Sequence, residues 1–120
     1  MTGADRDEIE ARPLYHVRRA AERYGCVVLL KGRHTLVARP DGSVRVTTTG
    51  TPWLATAGAG DVLGGLIGAL LAAGLSPYDA ASVGSWLHGA AATLAARSGP
   101  LTASAVARAI PDAVRGLPTR

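Results

Sequence analysis

Gly58-Ala59-Gly60-Asp61-Val62-Leu63-Gly64-Gly65 divides the chain into two stretches of different character. Upstream lie short β-branched runs and turn residues; downstream the chain is mostly helix-forming alanine and leucine. Gly58 and Gly60 allow close backbone approach and φ values that a Cβ forbids. A helix beginning at this junction offers unpaired N–H groups in its first turn, backed by the positive end of its dipole. Such an end receives an anion, most often phosphate. Asp61 does not suit that role as a ligand, because a carboxylate repels phosphate. It suits the role of a base taking a proton from a hydroxyl that is about to meet the phosphate. The plainer alternative is a first-turn acid favoured by the dipole, with the glycines serving only as a turn. The dinucleotide-binding fingerprint fits less well: Gly58, Gly60 and Gly64 are spaced G-x-G-x-x-x-G, and no second strand follows. The Walker A pattern is absent.

The 120 residues suffice for one small domain with a core, and a hydrophobic fraction of 48% fits a globular protein. Phe is absent and aromatics make up 4%, so the core must come from Ala, Leu, Val and Ile. Cys26 is the only cysteine, which excludes an internal disulfide and points to a reducing, cytoplasmic setting. The acidic N-terminus does not look like a secretory leader. The net charge of +4 is spread over scattered arginines without interleaved aromatics, so a nucleic-acid partner is not expected and an anionic small molecule is. The apolar runs at 62–75 and 90–96 are shorter than the ~20 residues of a membrane span and read as buried helices.

Working outward from the glycine turn, Thr49 to Ala57 is a loop holding Trp53, read as a packed aromatic or a lid residue. Before it, Leu36–Arg39, the Asp41-Gly42 turn and Val44–Thr48 predict a β-hairpin. Cys26–Leu30 is a continuous apolar run and reads as a buried strand. Leu14–Tyr24 shows helical apolar spacing and ends at Gly25. A helix, a glycine and a strand form the second half of a βαβ unit whose first strand is not in the sequence. Lys31-Gly32-Arg33-His34-Thr35 follows the strand end, where ligands of open α/β sheets sit; a charged turn is the alternative. Met1–Pro13 is expected to be an arm or loop.

Beyond the junction, Asp61–Ala73 is a helix in which Gly60, Gly64 and Gly68 recur every four residues. Interior glycines cost about 1 kcal/mol each relative to Ala, so a neighbouring helix or a ligand is expected against that stripe. Ser76-Pro77-Tyr78-Asp79 caps a long helix, Ala80–Arg97. His88 within it reads as a satisfied buried group rather than a catalyst. Thr102 caps a final short helix, with Pro111 ending it or starting a further turn.

Taken together, Leu29-Leu30-Lys31-Gly32, Thr35, the hairpin, Leu54-Ala55-Thr56, Gly58–Leu63, Leu75-Ser76-Pro77-Tyr78-Asp79-Ala80-Ala81 and His88-Gly89-Ala90-Ala91 resemble the C-terminal part of ADP/ATP-dependent NAD(P)H-hydrate dehydratases, of the ribokinase-like superfamily. The G-A-G-D element marks the superfamily, and the other stretches narrow it to the dehydratases. The resemblance runs from about Glu22 to the end and departs from the family's pattern at Thr51-Pro52 and Ala57, where family members often carry Asn-Pro and a further Gly.

The resemblance implies an α/β fold, the C-terminal portion of a three-layer sandwich, with residues 1–120 as a single partial domain. It implies a cofactor-repair enzyme: ADP (or ATP), with Mg2+, phosphorylates the hydroxyl of hydrated NADH or NADPH, and loss of phosphate restores the cofactor. Lys31, Gly32, Arg33, His34, Thr35 and Gly60 would meet the nucleotide. Ala59, Gly60 and Asp61 would form an anion hole. Asp61 would bind the hydrated nicotinamide and act as base, and no metal ligands are assigned. A complete dehydratase domain is about twice this length, so the chain is expected to self-associate or to need an N-terminal half. Two alternatives stay open at this point: part of another ribokinase-like small-molecule kinase, or a non-catalytic nucleotide-binding or dimerisation module.

Overall fold

A computed structural model describes residues 6–32, 34–48, 57–97 and 101–117. In chain order the elements are α1 (Arg6–Ala11), α2 (Pro13–Tyr24), β1 (Val28–Leu30), β2 (Thr35–Ala38), β3 (Val44–Thr47), α3 (Ala59–Ala72), α4 (Pro77–Ala96) and α5 (Ala103–Arg115). The three strands form one sheet in the order β1-β2-β3, with both pairings antiparallel.

Side-chain alternation along the strands splits the core into two layers. Leu36 and Ala38 of β2, with Val28, Leu30 and Val44, pack against Val17 and Ala21 of α2. Val37 of β2, with Val27 and Leu29, turns the other way and packs against Tyr78 and Ala81 of α4. A third cluster, around Leu87, Ala91, Ala92, Val106 and Ala113, joins α4 to α5 and takes in Val62 and Leu66 of α3. The order is therefore α2, sheet, α4, with α3 and α5 packed on α4: an α/β/α sandwich. Val46 of β3, Leu71 of α3 and Val83 and Trp86 of α4 are exposed.

The local punctuation follows the sequence closely. Gly25 ends α2 in the left-handed region at φ 61°. The hairpin turn places Gly42 at φ 92°, and the Asp41 carboxylate accepts the Ser43 N–H at 2.8 Å. That bond holds the Asp41 carboxyl below its ordinary pKa. Ser76 caps α4 by accepting from the Asp79 N–H, and Thr102 caps α5 by accepting from Ala105. The sheet is fastened to α4 by a buried Thr47–Ser85 hydroxyl pair at 2.8 Å. Arg45 reinforces it, donating to Asp79 at 2.7 Å and lying 4.0 Å from the centre of the Tyr78 ring.

Four expectations need correction. Residues 6–11 are helical rather than an arm: α1 buries nothing, but acids stand in its first turn and Arg6 pairs with Glu10 one turn on. The strand expected over Cys26–Leu30 is shorter and only half-buried, with Cys26 exposed; among the described residues β1 pairs on one edge only. The helix α5 runs through Pro111. Pro111 removes one N–H, but Ala107, whose carbonyl loses its partner, is exposed to water. The apolar stripe of α5 on α4 supplies the stability that the lost bond would have given.

The fourth correction removes the neighbouring-helix alternative for the glycine stripe and leaves the ligand alternative standing. Among the described residues nothing lies within 4 Å of a Cβ built at Gly60, Gly64 or Gly68. Close approach occurs instead at Gly84 of α4, where a Cβ would meet Ile67 Cγ1 of α3 at 2.7 Å. The stripe and the true crossing point are thus on different helices. Trp53 and its loop lie outside the described residues.

This contrast yields a prediction. Gly84→Ala should destabilise the chain by about 1–2 kcal/mol, the overpacking cost less the gain in helix propensity. Gly64→Ala, entering open space, should stabilise it by up to ~1 kcal/mol. Urea unfolding of both variants measures the two signs; equal effects at the two positions would contradict the packing described here.

Candidate functional site

The junction turn is built around Gly58. It stands at φ 85° as the N-cap of α3, and a Cβ there would come 3.1 Å from Ala103 Cβ at the start of α5. A side chain is excluded on both conformational and steric grounds. The first α-helical bond runs from the Val62 N–H to the Gly58 carbonyl at 3.2 Å. The N–H groups of Ala59, Gly60 and Asp61 therefore have no intrahelical acceptor. Ser76 and Thr102 cap the other two long helices of this half, but among the described residues no side chain caps α3. The open space above Gly60 leaves room for a group to come up to the main chain.

The predicted site residues separate as follows. Ala59 is buried, while Gly60 and Asp61 are exposed on the first turn of α3. Lys31, Gly32 and His34 are exposed in the connection from β1 to β2, and Thr35 opens β2. Arg33 lies outside the described residues. No cluster of three His, Cys, Asp or Glu that could hold a metal ion occurs among the described residues.

What joins the two stretches is His88. Its ring is 2% exposed within α4. It hydrogen-bonds to the Ala59 backbone, and the charge of Lys31 reaches it. Burial, and after it the nearby Lys31 cation, hold its pKa below the ordinary histidine value, while the Ala59 bond works weakly the other way. Both of the larger effects favour the neutral ring. Ala59 is bonded to the imidazole and Lys31, distant from it in sequence, is near enough for its charge to act on the same ring. The expectation of a satisfied buried histidine holds for its burial and needs correction for its bonding, since Nε2 has no hydrogen-bond partner among the described residues. Its sequence signals were a titratable ring in an Ala-rich helix and its place in the His88-Gly89-Ala90-Ala91 stretch.

Chemically, the arrangement offers three main-chain donors, a helix dipole and one lysine to an anion, with a single carboxylate on the same turn. That combination suits delivery of a phosphoryl group to a hydroxyl.

Comparison with known proteins bears on the same residues. A family model described as NAD(P)H-hydrate dehydratase matches residues 3–112. The ADP-dependent (S)-NAD(P)H-hydrate dehydratase of Neisseria meningitidis is 43% identical over 120 residues, covering 100% of this chain and 40% of that protein. The bifunctional NAD(P)H-hydrate repair enzyme Nnr of Escherichia coli is 47% identical over 100 residues, covering 82% of this chain and 19% of its own. The solved ADP/ATP-dependent NAD(P)H-hydrate dehydratase of Bacillus subtilis, co-crystallized with ATP/Mg2+, superposes with a TM-score of 0.89 at 30% identity, over 96% of this chain and 43% of that one. The chain thus spans less than half the length of these relatives, and its fold matches part of the Bacillus subtilis enzyme. With the family model matching nearly the whole of it, the chain belongs to the NAD(P)H-hydrate dehydratase family.

Proposed function

We propose that this chain supplies the nucleotide-facing and phosphate-facing part of an ADP-dependent dehydratase acting on hydrated NADH and NADPH, as one partial domain. The observation that carries the reading is the uncapped first turn of α3, open above Gly60 and sharing His88 with Lys31. Lys31, Gly32, Arg33, His34 and Thr35 border the nucleotide. The cation of Lys31 offsets phosphate charge, and Gly60 lets the main chain meet the phosphates directly. The N–H groups of Ala59, Gly60 and Asp61 receive the phosphoryl group in transfer, where fixed donors act most strongly. Asp61 contacts the hydrated nicotinamide and takes the proton from its ring hydroxyl as that oxygen acquires phosphate. Loss of phosphate then restores the double bond.

The phosphoryl donor, ADP or ATP, supplies the leaving group that turns a poor hydroxide departure into phosphate departure. Mg2+ would enter with the nucleotide and would offset phosphate charge; no cluster of three His, Cys, Asp or Glu among the described residues would hold it, as suits an ion bound mainly by substrate and water. A cytoplasmic setting suits both the free Cys26 thiol and such substrates. Exposed Val46, Leu71, Val83 and Trp86, with the single-edged pairing of β1, support association with a second copy or with the remainder of a longer protein.

The direct test is conversion of ADP and hydrated NADH to AMP, phosphate and NADH. ADP consumption with a vitamin-like alcohol in place of hydrated NADH would indicate another kinase of the superfamily. Sedimentation over a dilution series should show self-association of the isolated chain; a stable monomer with full turnover would refute the need for a further surface.

Two variants separate the roles. Lys31→Ala should weaken ADP binding roughly tenfold, the scale of one charge-assisted hydrogen bond, with an unchanged melting temperature; calorimetric titration measures it. Asp61→Asn in an active dehydratase assembly should lower turnover about 10²–10⁴-fold while sparing ADP affinity, because Asn keeps the shape and loses the basic oxygen. A residue interacting only with the helix dipole would instead cost about 0.3–1 kcal/mol of stability and leave the rate alone. Melting and steady-state kinetics on that one protein tell the two apart.

A further inference from the structure

The role of His88 follows from three observations. First, the ring is 2% exposed in a helix whose buried neighbours are Leu87, Gly89, Ala91 and Ala92. Packing alone would be met by an apolar residue, whereas a buried imidazole has polar atoms to satisfy. Second, the ring bonds to the main chain of Ala59, the first residue of α3. Third, the turn it touches receives no cap from any side chain among the described residues and is held in the left-handed region at Gly58, with Ala103 of α5 close by.

A neutral imidazole has one donor and one acceptor. The bond to Ala59 favours the charged form of the ring, which identifies the ring as its donor. Nε2 is then left as an acceptor without a partner among the described residues. A lone pair cannot bind phosphate, so the ring is unsuited to ligating the anion. It is suited to holding the main chain that does.

We infer that His88 is a positioning residue for the anion turn: from α4 it grips the Ala59 main chain and thereby sets the direction of the Ala59, Gly60 and Asp61 N–H groups. The inference rests on the reading of that turn as a phosphate site. Its two parts, the grip and the consequence for phosphate, are measured separately.

Amide hydrogen exchange on the chain reads the grip. His88→Phe should lower protection of the Val62 N–H, which bonds to Gly58, at least tenfold. The Val106 N–H, bonded to Thr102 in α5, is the internal control and should be unchanged. His88→Asn, whose amide can stand in for the Nδ1 donor, should restore most of the Val62 protection. Equal loosening at Val62 and Val106 would reduce His88 to general packing and overturn the inference, as would unchanged protection at both. Nitrogen-15 shifts of His88 in the unsubstituted chain at pH 7.5 should report the neutral Nδ1–H tautomer; the Nε2–H tautomer or an imidazolium overturns it even if the Phe variant does not fold.

Calorimetry then reads the consequence. ADP affinity should fall about tenfold in His88→Phe and recover in His88→Asn, with adenosine binding unaffected in both. Equal loss of ADP and adenosine affinity would overturn the phosphate-directing role. If the unsubstituted chain ignores ADP while the Val62 contrast persists, the grip is supported and the nucleotide reading fails.

Discussion

The backbone at Gly58 is the constraint on which the rest of this half-domain depends. A φ of 85° there leads the chain into α3, and a Cβ would crowd Ala103 at 3.1 Å. The residue can be neither turned nor enlarged. Because the bend is made by the main chain, no side chain is left over to cap the helix. The free donors of the first turn are thus a consequence of how the corner is built, and the corner is fixed in turn by the start of α5. Structure and chemistry meet at one atom's worth of space.

The helix α4 is the common support. It receives the sheet through Val37, Tyr78 and Ala81 and through the Thr47–Ser85 hydroxyl pair. It receives α5 through Leu87, Ala91, Ala92 and Val106, and α3 at Gly84. Small residues make this possible: without Phe, and with Ala at most contact positions, neighbouring backbones lie close, and the fit depends on single methyl groups. Ile67 packed over Gly84 shows the tolerance. A helix gripped on three sides is also the right place for a ring that must hold another helix's first turn still.

Much of this was legible in the sequence because it is written in local chemistry. Gly25, Asp41-Gly42, Ser76-Pro77 and Thr102 each specify a backbone state by their own bonding, and each stands as expected. The alternation Leu36-Val37-Ala38 likewise carries its two faces with it. What was not legible depends on partners. The spacing of Gly60, Gly64 and Gly68 suggests an intimate helix contact, yet which glycine is crossed is set by where α3 and α4 meet, and that falls at Gly84. Pro111 signals an end on its own, but the packing of α5 on α4 overrides it. His88 stood in a family stretch, His88-Gly89-Ala90-Ala91, that pointed to no role for the ring: its role acquires meaning only when Ala59 and the charge of Lys31 are brought near it in space.

The electrostatics of the corner also bear on the one residue that looks out of place. The α3 dipole and Lys31 both raise the potential where an anion would sit. The same lysine disfavours a charge on His88, so the ring adds rigidity there without adding charge. On the proposed reading two sources of positive potential act there, and burial with the Lys31 charge disfavours a third at His88. Against that background Asp61 brings a negative charge into the same exposed turn, next to the donors. For binding phosphate it is a handicap, and as a helix-start acid it would be worth only about 0.3–1 kcal/mol. A group that opposes binding at its own site is explained if it acts on the reaction, taking a proton at the moment the acceptor oxygen meets the phosphoryl group. The restraint on positive charge at His88 has a matching logic: a second cation beside Lys31 would hold phosphate more tightly at every stage, including after transfer, whereas three fixed N–H groups favour the geometry of transfer itself.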